Sequence, residues 1–194
     1  MTQILGWLSF VVLLLSYIPY VIDILKGNTK PERAAFFIWT VLGFSLISSQ
    51  LAEGGRESVL LSVGGTVGPL IVFLLSIKYG VGGFLLRDKF ALVFAAIGLL
   101  LWYLTNNPAF VLWIAILIDS AGVYLLLIKS YKDPASELPL LWASGVVAGT
   151  LSILSVGRLD INLLAFPVWL TINNGVIFTT IIYRTKKLGI NNAT

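Results

Sequence analysis

The chain has 194 residues, of which 58% are hydrophobic and 11% charged, against roughly a quarter charged in an ordinary soluble domain. A soluble fold of this size could not hide so much apolar surface. The net charge of +4 comes from basic residues in short clusters between apolar runs, a pattern of membrane orientation and not of nucleic-acid binding; the absence of Cys and His removes disulfides, thiol and imidazole catalysis and the usual zinc sites.

A spanning helix needs roughly 20 apolar residues. The first candidate is Ile4–Ile22. It has no charged n-region and no small-residue cleavage site before Asp23, so it reads as a retained helix, not a signal peptide. Within it, Pro19 leaves the carbonyl near Leu15 without its helical donor. That makes Pro19 a candidate gating hinge, or a fixed kink held by packing. The chain then breaks at Lys26-Gly27-Asn28-Thr29-Lys30-Pro31.

Ala34–Ala52 is the second candidate span, with Trp39 one to two turns from its start. Ser48, Ser49 and Gln50 form a polar patch at its far end, lining an access path or facing headgroups. Ser58–Ile77 is the third. Its Gly64, Gly65 and Gly68 read as close helix packing, and Pro69 after them as a second hinge candidate. Phe90–Ile118 is charge-free but too long for one ordinary span. Thr105-Asn106-Asn107-Pro108 divides it into a short helix, Phe90–Leu104, and a longer one, Pro108–Ile128. Leu138–Gly157 carries Trp142 near its start and the pair Gly145 and Gly149, which fits packing within a bundle as well as dimerisation, so a homo-oligomer stays open. Ile161–Tyr183 completes the set. The expected fold class is an all-α integral membrane protein with seven transmembrane helices.

The connections alternate in basic content. Eleven of the 13 Lys and Arg residues fall in the connections after the first, third, fifth and seventh spans. Only Arg56 and Arg158 fall on the other side. The positive-inside rule then places the N-terminus outside and the C-terminus in the cytoplasm, in a bacterial-type inner or plasma membrane.

A shift of 103 residues superposes Lys26 on Lys129, Pro31 on Pro134 and Trp39 on Trp142. The matched break points carry this correspondence, because identity between the segments is near the chance level for apolar sequence. Each repeat has three helices, so it ends on the side opposite its start. Two parallel repeats therefore need one linker helix between them. The expected organisation is residues 1–79 as the first three-helix repeat and 80–106 as loop and linker helix. Residues 107–187 form the second repeat and 188–194 a C-terminal tail. Transporters with a midplane site use such repeats.

"LSYIPYVIDILKGNTKPE", followed by an apolar helix with Gly43, resembles the PQ-loop and SWEET-like transporter superfamily. In that group a Pro-Gln pair on the first helix of each repeat precedes a short basic turn. Here Pro19 is followed by Tyr20, and Gly122-Val123 stands at the matching place in the second repeat. The polar Asn that the group carries on the third helix of a repeat would correspond to Asn173 or Asn174, with Leu70 and Ile71 in the first repeat. The resemblance implies a small-solute transporter and leaves the solute open.

The residues themselves single out Asp119, eleven positions after Pro108 and ten before Lys129. At 1.5 Å per residue it lies roughly 15 Å from either end of its helix. An ionisable group there costs about 2.5–3.5 kcal/mol and marks a functional site by default; the plain alternative is a protonated structural carboxyl. Asn173 and Asn174 lie near the middle of the last helix, as solute-binding amides or as interhelical glue worth about 0.6 kcal/mol per bond. Gly175 permits a close neighbour, which favours Asn174. Trp169 lies nearest the midplane of the tryptophans and completes the expected solute-binding set. Pro19, Trp39 and Trp142 form the expected gating set, with membrane-belt placement the alternative for the two tryptophans. Trp7, Trp102, Tyr103 and Trp113 read as an outer aromatic belt.

The expected function is transport of a small polar solute, proton-coupled through Asp119. A seven-helix receptor or sorting protein of the same architecture is the alternative, separated only by a flux measurement. A retinal protein would need a Lys deep in the last helix, where the first basic residue is the terminal Arg184. An enzyme is not expected, because no acid–base pair or metal cluster is visible. No metal, cofactor or nucleic acid is expected; the partners are the solute and the lipid bilayer.

Overall fold

The computed structural model describes residues 2–52, 57–83, 85–105, 108–157, 159 and 161–190. Among these it forms seven α-helices: α1 (Thr2–Leu25), α2 (Arg33–Ala52), α3 (Glu57–Tyr79), α4 (Leu86–Leu104), α5 (Pro108–Lys132), α6 (Pro139–Val156) and α7 (Ile161–Lys187). A short 3-10 turn, Pro134–Ser136, lies between α5 and α6. The described residues form no strand, only one isolated parallel bridge between Glu32 and Val81.

The helices follow the apolar runs and extend past them into the charged ends. Helix α4 starts at Leu86 and takes in Arg87, Asp88 and Lys89; α5 reaches Lys132 and α7 reaches Lys187. Cations in a last turn complement the helix dipole, so α3, α5 and α7 close on Lys78, on Lys129 and Lys132, and on Arg184, Lys186 and Lys187. Arg56, Asn106, Asn107 and Arg158, and the side chains of Ser48, Ser49 and Gln50, lie outside the described residues.

Glycine closes α1. Gly27 has φ 81 and donates to the Ile24 carbonyl at 2.9 Å, while Asn28 N–H reaches the Asp23 carbonyl at 3.1 Å. This is the Schellman arrangement. The Asp23 carboxylate, isolated in the sequence, binds the same turn: Asn28 Nδ2 donates to it at 3.0 Å and Thr29 Oγ1 donates to its other oxygen. Gly189 ends α7 with the same pair of bonds, Gly189 N to Lys186 O and Ile190 N to Thr185 O.

Among the described residues, four helices are long and apolar enough to cross a membrane: α1, α5 over Trp113–Lys132, α6, and α7 over Leu164–Lys187. Shorter apolar stretches, Arg33–Ser45 and Gly65–Tyr79, lie in α2 and α3.

The chain divides into two compact units that do not follow chain order. One contains residues 1–30 and 126–194: α1, the end of α5, the 3-10 turn, α6 and α7. Within it α6 packs on both α1 and α7, and Ser9 Oγ donates to the Ala148 carbonyl at 2.7 Å. The other contains residues 31–125: α2, α3, α4 and most of α5. Within it α2 packs on α3 and α4, with Phe37 against Phe73 at 5.2 Å. Helix α4 buries Asp88, Ala91, Ala95 and Trp102 along one face, and Gly98 lies against Ile114 and Ile118 of α5. Trp102, expected in the outer belt, is thus a packing residue, whereas Trp7, Tyr103 and Trp113 are exposed.

Candidate functional site

In the α1/α6/α7 unit the break before α6 is organised by one carboxylate. Glu137 accepts from Lys129 Nζ at 2.7 Å, from Tyr20 Oη at 3.0 Å and from Trp142 Nε1 at 3.1 Å. Lys129 also donates to the Ser136 carbonyl at 2.6 Å, which receives Lys30 N–H at 2.9 Å as well. Tyr20, Lys129, Glu137 and Trp142 are all buried. Three charge-assisted bonds satisfy the buried carboxylate and join α1, α5 and α6 at one point. Trp142, an expected gating residue, is therefore tied by its indole N–H to the foot of its own helix.

Asn173 and Asn174 are buried in α7, 5% and 7% exposed. Asn174 Nδ2 donates to the Leu170 carbonyl at 2.8 Å and to Asn173 Oδ1 at 2.9 Å. Its Oδ1 occupies the space that a Cβ at Gly145 of α6 would fill. The glycine allows α6 to approach the amide. Trp169, one turn earlier, is half-buried. Pro19 and Pro167 both lie within helices, so α7 carries a proline that the sequence reading did not single out. Thr171 Oγ1 donates to the Pro167 carbonyl at 2.8 Å.

In the α2–α5 unit, Asp119 is 7% exposed on α5. Trp39 of α2 is half-buried, stands edge-on to Phe36 at 5.1 Å, and lies against Gly122 of α5. Asp119 thus belongs to one unit and Asn173, Asn174 and Trp169 to the other.

The α2–α5 unit has a charged junction of its own. Arg33 N–H donates to Val81 O at 2.8 Å, and Val81 N–H to Pro31 O at 2.9 Å. The Arg33 guanidinium reaches the Ser76 carbonyl at 3.0 Å and the Gly82 carbonyl at 3.2 Å. Asp88 Oδ2 accepts from Gly83 N–H at 2.7 Å and Leu85 N–H at 3.0 Å, and Oδ1 pairs with Arg87 Nε at 3.2 Å. Glu32 is fully buried. Its Oε2 caps α2 by accepting from Ala35 N–H at 2.7 Å, while Oε1 has no hydrogen-bond partner among the described residues. Oε1 sits where a Cβ of residue 82 would be, so Gly82, with φ 77, is required both for space and for backbone conformation. Burial pushes the Glu32 carboxyl from 4.5 up to about 7; the Ala35 N–H opposes this and the nearby Asp88 adds to it.

The same unit holds a groove of about 520 Å³ between α4 and α5, lined by Leu86, Arg87, Phe90, Ala91, Phe94, Ser120, Ala121 and Tyr124. Among the described residues no three His, Cys, Asp or Glu side chains gather as a metal site.

Neither carboxylate junction was evident in the sequence. Glu32 and Glu137 lie in basic connections, where a carboxylate looks like one more solvated charge. The available signal was their position just before an apolar helix, with a tryptophan five or seven residues further on: Glu137 precedes Trp142 and Glu32 precedes Trp39.

The described residues define a class, that of all-helical chains with several helices long and apolar enough to cross a membrane. Comparison of the chain with models of known protein families, with curated proteins and with solved structures finds no match.

Proposed function

We propose that this chain is a membrane transporter of a small polar solute, of the PQ-loop and SWEET-like kind. It works by alternating access and is coupled to protons through Asp119. All seven helices cross the membrane, the N-terminus faces outward and the C-terminus faces the cytoplasm of a bacterial-type cell. The observation that carries the reading is Asp119: a buried carboxyl in the middle of an apolar helix whose next ionisable side chain but for Tyr124 is Lys129. In hydrocarbon such a group is costly and is retained where it acts on a solute or a proton. The buried amides of α7 support the same reading, with Trp169 as the neighbouring aromatic surface.

Reconstitution into proteoliposomes with a panel of labelled sugars and amino acids tests it. At least one solute should accumulate when the outside is acidified. Asp119→Asn keeps the shape and fixes the neutral state, so it should bind and exchange solute but lose pH-driven accumulation. Accumulation equal to the parent's would remove proton coupling through Asp119. Binding without flux in the parent would favour the receptor reading instead.

A further inference from the structure

The groove between α4 and α5 has chemistry unlike that of the polar positions deeper in the helices. Arg87 stands at one end of it. The side chain is 23% exposed and its Nε is held by Asp88, whose Oδ2 is already engaged by two backbone N–H groups. No partner among the described residues engages its two terminal amino groups. The guanidinium is thus oriented in advance, with a free fork suited to phosphate oxygens.

From Arg87 the walls become apolar. Phe90 and Phe94 follow at one-turn spacing on α4, opposite Ala121 and Tyr124 of α5. Phe90, Phe94 and Tyr124 are strongly exposed. Phe94 lies roughly 10 Å along the axis from Arg87, at 1.5 Å per residue. A cationic fork followed by an apolar trough of that depth matches a phosphate headgroup and the upper part of its acyl chain. Arg87 and Lys89 also fall on the basic-rich, cytoplasmic side, where anionic lipids attract such residues.

We propose that this groove binds an anionic phospholipid, with its phosphate on Arg87 and an acyl chain along Phe90 and Phe94. The proposal rests on the chain being embedded in a membrane and is independent of solute transport. Native mass spectrometry of the detergent-solubilised protein tests it with dioleoyl phosphatidylglycerol and dioleoyl phosphatidylcholine. Phosphatidylglycerol should bind about fivefold more tightly, as one basic residue at the surface provides. Arg87→Gln should abolish that preference and Arg87→Lys should keep part of it, whereas Lys187→Gln should leave it intact. Ser120→Trp fills the groove away from the ion pair and should block lipid binding even if Arg87→Gln fails to fold. Equal binding of the two lipids, an undiminished preference in folded Arg87→Gln, or binding unaffected by Ser120→Trp each overturns the proposal. Displacement of the lipid by millimolar inorganic phosphate also overturns it, leaving a free-phosphate site. Recovery of the protein from the soluble fraction without detergent would instead overturn the membrane reading itself.

Discussion

Two buried carboxylates carry opposite chemistry. Glu137 is fully hydrogen-bonded and ion-paired, so removing one partner leaves the other charge stranded. Glu137→Ala should cost about 3–5 kcal/mol of stability in detergent, and Tyr20→Phe about 1.5–3 kcal/mol. The double variant Lys129→Met with Glu137→Leu should recover much of the loss. Chemical denaturation followed by Trp fluorescence checks all three; equal losses in the single and double variants would remove the ion pair from the argument. Glu32 has one oxygen without a hydrogen-bond partner among the described residues and a carboxyl pushed up by burial to about 7. Its folded form holds a proton that the unfolded chain releases near 4.5. The resulting stabilisation is therefore full below about pH 4.5 and lost as pH rises through about 7. A rise from 4.5 to about 7 corresponds to about 3 kcal/mol. Glu32→Gln imitates the protonated side chain, so its melting temperature should vary less between pH 5 and 8 than the parent's. An equal slope would place the pH dependence elsewhere.

At the scale of helices, the apolar runs were legible because charge is so scarce that every break stands out. Asp119, Asn173 and Asn174 were legible for the same reason. The junctions were not, because their partners come from distant sequence: Tyr20 and Glu137 are 117 residues apart. Helix α4 shows a different limit. Once Arg87, Asp88 and Lys89 are set aside, its apolar part is Phe90–Leu104, about 22 Å at 1.5 Å per residue against a hydrocarbon core of about 30 Å. As the fourth of seven proposed spans, it would require local thinning or flanking residues that reach outward. The absence of cysteine makes topology directly measurable. Asn28→Cys should label only from the cytoplasmic side, and Leu159→Cys, at a fully exposed residue between α6 and α7, only from outside. Labelling of both from one side would end the seven-span assignment.

At the scale of the whole molecule, the two compact units cut across the two repeats proposed from the sequence. Under the 103-residue correspondence α1 matches α5, α2 matches α6 and α3 matches α7. Each unit thus takes the first helix of one repeat and the later helices of the other. The tryptophans follow the same scheme: Trp39 of α2 lies against Gly122 of α5, while Trp142 of α6 shares Glu137 with Tyr20 of α1. Pro19 matches Gly122. If α1 works as a hinged arm, Pro19→Ala should slow solute flux in proteoliposomes more than it weakens solute binding; an unchanged rate would make Pro19 a packing residue. Fragments 1–106 and 107–194 should each be degraded when expressed alone and persist when co-expressed, because each holds helices whose partners lie in the other. Persistence of either fragment alone would count against this exchange.

The division of the units also sets a timetable during synthesis. Helix α1 leaves the ribosome before the other six helices, yet the helix it packs on, α6, lies beyond the whole 31–125 unit. At roughly 5–20 residues per second, α1 waits on the order of 5–20 s before α6 is made, and under the proposed topology it waits in the bilayer. Of the four described helices long and apolar enough to cross a membrane it is also the most apolar. A segment that spends so long without its neighbour needs lipid itself as a tolerable surrounding. The composition of α1 therefore reflects its order of birth as much as its place in the finished protein.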